Sequence, residues 1–249
     1  MIKVAVCGAN GKMGQEVVKA VNSADDMTLV AQIDILNGQF ATIKDANDSV
    51  QIDVLIDFTQ PASIYENALY CLNNNIKMVI GTTGLSDEQI EELKKISKDK
   101  SVSCLIAPNF STGAVLLMKF AQMASKYFAN AEIIELHHNQ KKDAPSGTAV
   151  KTAQMMADFN SDFTKGNCQE KETINGARGG IAYSNIHIHS VRMPGYIASQ
   201  EVLFGSAGQI MTLRHDSMNR ECYMGGVLLA TRYVIEHNEF VYGLENIME

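Results

Sequence analysis

Residues 137–149 read HHNQKKDAPSGTA. The residue types that could do chemistry here are His137, His138 and Lys141, followed by the step Ser146-Gly147-Thr148. Ser-Gly-Thr after a proline has the composition of a helix N-terminus, where free backbone N–H groups and the macrodipole favour an anion. Pro145 donates no hydrogen bond and stiffens the approach. If the preceding strand runs through both histidines, they point to opposite faces and one of them serves a given pocket. Cations beside a helix start suit a carboxylate or a phosphate. Taken alone, the stretch fits a solvated loop with a satisfied histidine equally well.

A second constellation opens the chain. Gly8-Ala9-Asn10-Gly11-Lys12-Met13-Gly14 follows a β-branched run and precedes a helical pattern, a G-x-x-G-x-x-G variant of the dinucleotide fingerprint. Glycines there let the backbone turn and approach a pyrophosphate at the helix N-terminus. The next strand candidate ends in Asp34, where an acid accepts ribose hydroxyls. Gly81-Thr82-Thr83 and Ala107-Pro108-Asn109-Phe110 follow two further strand candidates. Carboxyl ends of parallel strands are where open α/β sheets bind ligands, so the three loops together would form a cofactor trough.

These residues need elements to position them. The runs 2–8, 27–34, 53–59, 77–83 and 101–109 read as buried parallel strands. Helical patterns lie between them, one opened by Pro61 through ASIYENALYCLNNN and one by a capping box of Ser86 and Gln89. This βαβ series predicts a Rossmann-type, doubly wound parallel sheet. After Asn109 the pattern changes to a long amphipathic helix (113–131), a strand EIIELHHN, a helix from Ser146, and a polar loop over 160–182. Three strand candidates (IHIHSVRMP, YIASQEVLFG, QIMTLRHDS) follow and are expected to be antiparallel neighbours. RECYMGGVLLATRYVIEH predicts a final helix. The second domain is therefore expected to be α+β with an open mixed sheet.

Composition narrows the function classes. The 249 residues are 46% hydrophobic and 20% charged, an ordinary globular balance. A net charge of −7 argues against a nucleic-acid partner. No apolar run is long enough to predict a membrane partner. The first residues enter a strand without signal-peptide features, so a cytoplasmic protein is expected. The five cysteines are odd in number and scattered, with no C-x-x-C pair, which argues against a disulfide framework and against a cysteine zinc site. His187 and His189 share a strand face, but no carboxylate or cysteine nearby in sequence completes a metal site. Asp57 and Asp143 show no acid–base partner, and Asp57 reads as a turn cap.

The sequence resembles the dihydrodipicolinate reductase (4-hydroxy-tetrahydrodipicolinate reductase) family of the diaminopimelate–lysine pathway. The resemblance spans nearly the whole chain and rests on GANGKMG (8–14), DFTQP (57–61), GTTG (81–84), APNFSTG (107–113), EIIELHHNQKKDAPSGTA (132–149) and IHSVRMPG (188–195). It implies hydride transfer from NADH or NADPH to a small cyclic dicarboxylate. It implies a dinucleotide domain over 1–108 and 218–249, a substrate and oligomerisation domain over 109–217, and a homotetramer. His137 and Lys141 match the family's proton donors. His138, Lys141, Ser146, Gly147 and Thr148 match its carboxylate binders. Gly8, Ala9, Asn10, Gly11, Lys12, Met13, Asp34, Gly81, Thr82, Thr83, Ala107, Pro108, Asn109, Phe110 and Arg220 match its cofactor site. Some members carry an arginine just after the second-strand acid, whereas Ile35 and Leu36 stand here. Competing readings are another nicotinamide oxidoreductase acting on a different carboxylate, or a nucleotide-sensing scaffold.

Overall fold

Val4, Ala5 and Val6 are wholly inaccessible to solvent, as a strand sandwiched between helices must be. A computed structural model describes residues 1–164 and 168–248; residues 165–167, inside the expected polar loop, and Glu249 lie outside it. The chain divides into two compact units, Met1–Thr112 with Arg220–Glu249, and Gly113–Asn219.

In the first unit, β1 (Ile2–Cys7), β2 (Met27–Ile33), β3 (Val54–Asp57), β4 (Lys77–Ile80) and β5 (Cys104–Ile106) pair in parallel. With β11 (Phe240–Tyr242) they form one six-stranded sheet in the order β11-β5-β4-β3-β1-β2. The order reverses between β1 and β3, the switch point where such sheets open a crevice for ligands. Helices α1 (Lys12–Asn22), α2 (Ile43–Ser49), α3 (Ile64–Asn73), α4 (Asp87–Lys100) and α7 (Met224–Glu236) complete the unit. α4 begins with the expected reciprocal cap, Ser86 accepting from the Gln89 amide while the Gln89 side chain accepts from the Ser86 amide.

Three boundaries differ from expectation. Pro61 lies in a turn rather than a helix; Ser63 N–H bonds to the Gln60 carbonyl and α3 starts at Ile64. The C-terminal segment opens with a 3₁₀ turn, Arg220–Tyr223, before α7. The helix α5 (Thr112–Ala124) stops well short of residue 131, because Ser125 turns its hydroxyl onto the Gln122 and Met156 carbonyls.

The second unit holds a five-stranded mixed sheet, ordered β10-β9-β6-β8-β7. Its strands are β6 (Asn130–His137), β7 (Gly180–Ile181), β8 (His187–Arg192), β9 (Ala198–Ser206) and β10 (Gln209–Ser217). Leu117 and Ala121 of α5, with Ala149, Ala153 and Met156 of α6 (Gly147–Ala157), pack on Ile133, Ile188, Val202 and Phe204. The antiparallel expectation holds for β9 and β10 but not for β8 and β9. β6 lies between those two, parallel to β8 and antiparallel to β9. Its fully buried inward residues, Ile133 and Glu135, are best covered from the middle of the sheet. Among the described residues, no helix is long and apolar enough to cross a membrane.

Candidate functional site

In the first unit the glycine loop follows from close packing. Gly8 has φ +78°, and a Cβ there would lie 2.4 Å from the Phe58 carbonyl oxygen. A Cβ at Gly14 would lie 1.9 Å from the Gly8 carbonyl oxygen. Only glycine lets α1 start this near the strand end. Gly11 caps α1 with no side-chain hydrogen bond, so the first amides of the helix are left to an incoming anion.

Asp34 stands at the end of β2 and ties two turns together. Its carboxylate accepts the Asn10 amide at 2.9 Å and the Leu36 amide at 2.9 Å, and Asn10 Nδ2 donates to the Leu36 carbonyl. Each oxygen keeps a further lone pair for a hydroxyl. Ile35 and Leu36 are 86% and 71% exposed, so this corner presents apolar side chains and no cation of its own. Lys12 is exposed in the glycine loop.

Asp57, read from the sequence as a turn cap, does more. It is fully buried and accepts from the Thr59 amide at 3.0 Å, the Thr59 and Thr82 hydroxyls at 2.7 Å each, and Asn67 Nδ2 at 2.8 Å. It thereby fixes Thr82 in the Gly81-Thr82-Thr83 loop to the ends of β3 and α3. Phe110 is buried and stacks at a tilt on Phe58, centroids 5.8 Å apart, which places the Ala107–Phe110 loop beside the end of β3. Pro108 is exposed, Ala107 is buried, and the Asn109 Oδ1 accepts the Ser111 amide. Arg220 is exposed on the 3₁₀ turn, which packs against α1. The glycine loop, Asp34, Thr82 and the 107–110 loop therefore belong to one sheet edge. The exposed amides and the acid fit a nicotinamide dinucleotide.

The second unit carries the other constellation. The odd-numbered positions of β6 face the helices, and Glu135 is the acid among them, with no exposed surface. An acid at an inward strand position must be paired. Arg192, paired in register with His137 at the end of β8, meets it with Nη1 and Nη2 at 2.8 and 2.7 Å. His137 Nδ1 donates to Glu135 Oε2 at 2.5 Å, and the Ser146 amide donates to Oε1 at 3.2 Å. Burial alone would raise the Glu135 pKa, but hydrogen bonds from His137, Arg192 and Ser190 outweigh it and hold the carboxyl down at about 2.

Around this pair the loop takes its shape. Arg192 Nη2 also donates to the Asp143 carbonyl at 2.8 Å. Lys141 Nζ bonds to the Asp143 carboxylate at 2.8 Å and holds that acid below the usual range. The acid that showed no partner in the sequence thus pairs with Lys141. His138 is exposed and its Nδ1 accepts the Gln140 amide. Ser146 is buried and caps α6 by accepting the Ala149 amide, while space is open around Gly147. Thr148 sits in the first turn of α6. Glu135 thus brings His137 to the helix start at Ser146, Gly147 and Thr148, while His138 and Lys141 lie on the loop that leads to it, Lys141 paired with Asp143. The open helix start, with Lys141 on the loop before it, supplies hydrogen-bond donors that suit a carboxylated small molecule.

His187 and His189 go elsewhere. His189 Nε2 bonds to Glu132 Oε2 at 2.7 Å, and His187 Nδ1 bonds to the Arg178 carbonyl. The nearby carboxylate missing from the local sequence comes from β6, but Arg178 already engages both its oxygens.

Comparison with known proteins joins the two halves. Family models described as dihydrodipicolinate reductase, N-terminus, and dihydrodipicolinate reductase, C-terminus, match residues 2–110 and 113–248. A 4-hydroxy-tetrahydrodipicolinate reductase of Picosynechococcus sp. is 48% identical, the match covering 99% of this chain and 98% of the relative. One from Lysinibacillus sphaericus is 47% identical, with 99% of each chain covered. The solved structure of a dipicolinate-bound dihydrodipicolinate reductase from Paenisporosarcina sp. TG-14 superposes with a TM-score of 0.92 at 46% identity, covering 100% of both chains. A probable dehydrogenase from Thermotoga maritima shares the fold alone, with a TM-score of 0.67 at 11% identity over 99% of this chain and 92% of that one.

Proposed function

The chain belongs to the dihydrodipicolinate reductase family, and we propose that it reduces 4-hydroxy-tetrahydrodipicolinate to tetrahydrodipicolinate for diaminopimelate and lysine synthesis. The observation that carries this reading is the junction, through Glu135, of His137 with the N-terminal turn of α6, with Lys141 on the loop between them in sequence. A nicotinamide dinucleotide supplies the hydride when bound, and the amides of Lys12 and Met13 at the start of α1, Asp34 and the loops at 81–83 and 107–110 are the residues that would hold it.

The chain's own residues supply the rest. Lys141 and the amides of Gly147 and Thr148 bind one carboxylate of the ring, with the Ser146 hydroxyl and His138 assisting; the Ser146 amide is committed to Glu135. Loss of the 4-hydroxyl as water gives the conjugated ring, and hydride addition to that ring leaves negative charge that a proton must quench. His137 Nε2 or Lys141 Nζ donates it; the Nδ1 of His137 is committed to Glu135.

Asp34 favours NADH over NADPH, since a 2′-phosphate would meet a like charge and Ile35 and Leu36 offer no compensation. Lys12, in the glycine loop, is the cation placed to help, and an ammonium is a poorer phosphate partner than an arginine fork. The preference is therefore modest. The sheet face opposite α5 and α6 carries partly exposed Ile134, Leu136, Val191 and Leu203 and an 81% exposed Ile210, which supports a homotetramer paired through these sheets. A cytoplasmic placement belongs to the same proposal.

Dipicolinate, a flat dicarboxylate, tests the cradle without turnover. Calorimetry is expected to show binding that Lys141→Ala weakens by about tenfold or more, a lost charge-assisted hydrogen bond. Equal affinity in the two proteins would remove Lys141 from the site.

A further inference from the structure

The ion pair of Glu135 and Arg192 does not merely fill the core. Its two side chains bond to the end of β6, the loop after it and the start of α6, the segments of the second unit that carry His137, Lys141 and Ser146. Glu135 takes the Nδ1 proton of His137 at the end of β6 and the amide of Ser146 at the start of α6. Arg192 takes the carbonyl of Asp143, whose own carboxylate holds Lys141. The loop between His138 and Pro145 is therefore pinned at both ends by one pair. A surface loop of this length without such an anchor would sample many positions.

Its chemistry also sets a tautomer. Glu135 is ionised, since its carboxyl is held at about 2, so it can only accept from the imidazole. His137 then carries its neutral-state proton on Nδ1 and leaves Nε2 as the ring atom that exchanges a proton with a bound molecule. Arg192 is needed because a buried carboxylate without a cation would be uncompensated. Its planar guanidinium meets both Glu135 oxygens side by side and still donates to the loop, a fork that the single nitrogen of a lysine does not offer.

We infer that Glu135 is a positioning residue for the reaction, with Arg192 as its counterion: through one carboxylate it fixes the tautomer of His137 and couples that imidazole to the carboxylate cradle at Ser146. This rests on the reading of His137 as a proton donor.

The first test needs no substrate. ¹⁵N spectra of the imidazoles, with His137 assigned through a His137→Gln comparison, are expected to show the Nδ1–H tautomer in the neutral ring. A dominant Nε2–H tautomer in the wild-type protein overturns the inference whatever the enzyme reduces. The second test compares Glu135→Gln and Glu135→Asp with wild type, per folded molecule counted by NADH binding. Glu135→Gln is expected to lower kcat by about 10²-fold, the scale of a misplaced acid–base group, and to raise KM through the loosened Ser146 amide. Glu135→Asp, which keeps the charge, is expected to recover part of kcat and the wild-type pH profile. A Glu135→Gln enzyme with reduced thermal stability but unchanged kcat, KM and pH profile would show a purely structural role and refute the proposal. If wild type fails to turn over while His137 shows the Nδ1–H tautomer, the substrate assignment has failed and the Glu135–His137 coupling has not.

Discussion

Gly14→Ala is the sharpest single test of the cofactor half. A Cβ on Gly14 would stand 1.9 Å from the Gly8 carbonyl oxygen, 2.7 Å from its carbon and 2.8 Å from the Ala9 Cα. All three are backbone atoms, so no rotamer relieves the contact. Ordinary contact begins at 3.4 Å, so the N-terminal turn of α1 must retreat by 3.4 − 1.9, about 1.5 Å. The same Gly8 carbonyl accepts the Gly11 amide at 3.0 Å, so the retreat strains the loop as well. Overpacking of this kind costs about 1–3 kcal/mol, of which helix propensity returns up to ~1 kcal/mol. For a chain of this size the melting temperature is expected to fall by roughly 2–8 °C. The larger effect is on binding, because amides moved by more than an ångström no longer meet the pyrophosphate. A lost hydrogen bond to a charged group, ~1.5–3 kcal/mol, corresponds to a Kd for NADH raised by about 10- to 100-fold. Gly225→Ala in α7, where nothing lies within 4 Å of the added carbon, is the internal control and is expected to leave stability unchanged or slightly raised. Titration of nicotinamide fluorescence and a thermal melt read both quantities. A Gly14→Ala protein binding NADH within about threefold of wild type, under ~0.7 kcal/mol, would refute the reasoning.

Asp57→Asn places an amide N–H₂ where four donors converge, so at least one buried partner goes unmet. The loss is expected to be about 1–3 kcal/mol, read as a lower urea midpoint, and an unchanged midpoint would contradict the hub. The folded pKa of Glu135 is depressed from 4.5 to about 2, so its stabilisation is present above pH 4.5 and disappears as the pH falls towards 2. Acid titration of stability should therefore be shallower for Glu135→Gln than for wild type across that window; parallel curves would count against it. On cofactor choice, kcat/KM is expected to be at least as high with NADH as with NADPH. A tenfold advantage for NADPH, about 1.4 kcal/mol, would show that a cation outweighs Asp34.

Much of the fold was legible because its signals are local. Continuous apolar runs such as Val4–Val6, and the cap formed by Ser86 and Gln89, identify buried strands and a helix start without knowledge of neighbours. What escaped reading depends on tertiary context. α2 buries only Ile43 and Ala46, too little for a period, although Thr42 accepting the Asp45 amide is a cap visible in hindsight. β11 is three residues long and exists through pairing with β5. The place of β8 beside β6 could not come from adjacency in sequence. The cradle was visible as His137, Lys141 and Ser-Gly-Thr, but its anchor was not singled out. Glu135 shares strand parity with Ile133, and an acid at that parity was the available signal. Arg192, 57 residues on, gave none.

A chain that carries both a nicotinamide site and a dicarboxylate cradle is expected to reduce the dicarboxylate with the nucleotide. The direct measurement follows nicotinamide absorbance with NADH and 4-hydroxy-tetrahydrodipicolinate freshly made by the preceding synthase, for wild type and Lys141→Ala. Rapid, substrate-dependent oxidation by wild type is expected. The variant is expected to fall by about 10²–10⁴-fold in kcat while still binding NADH. No turnover by folded, NADH-binding wild-type protein, or near-normal kcat in Lys141→Ala, would contradict the account.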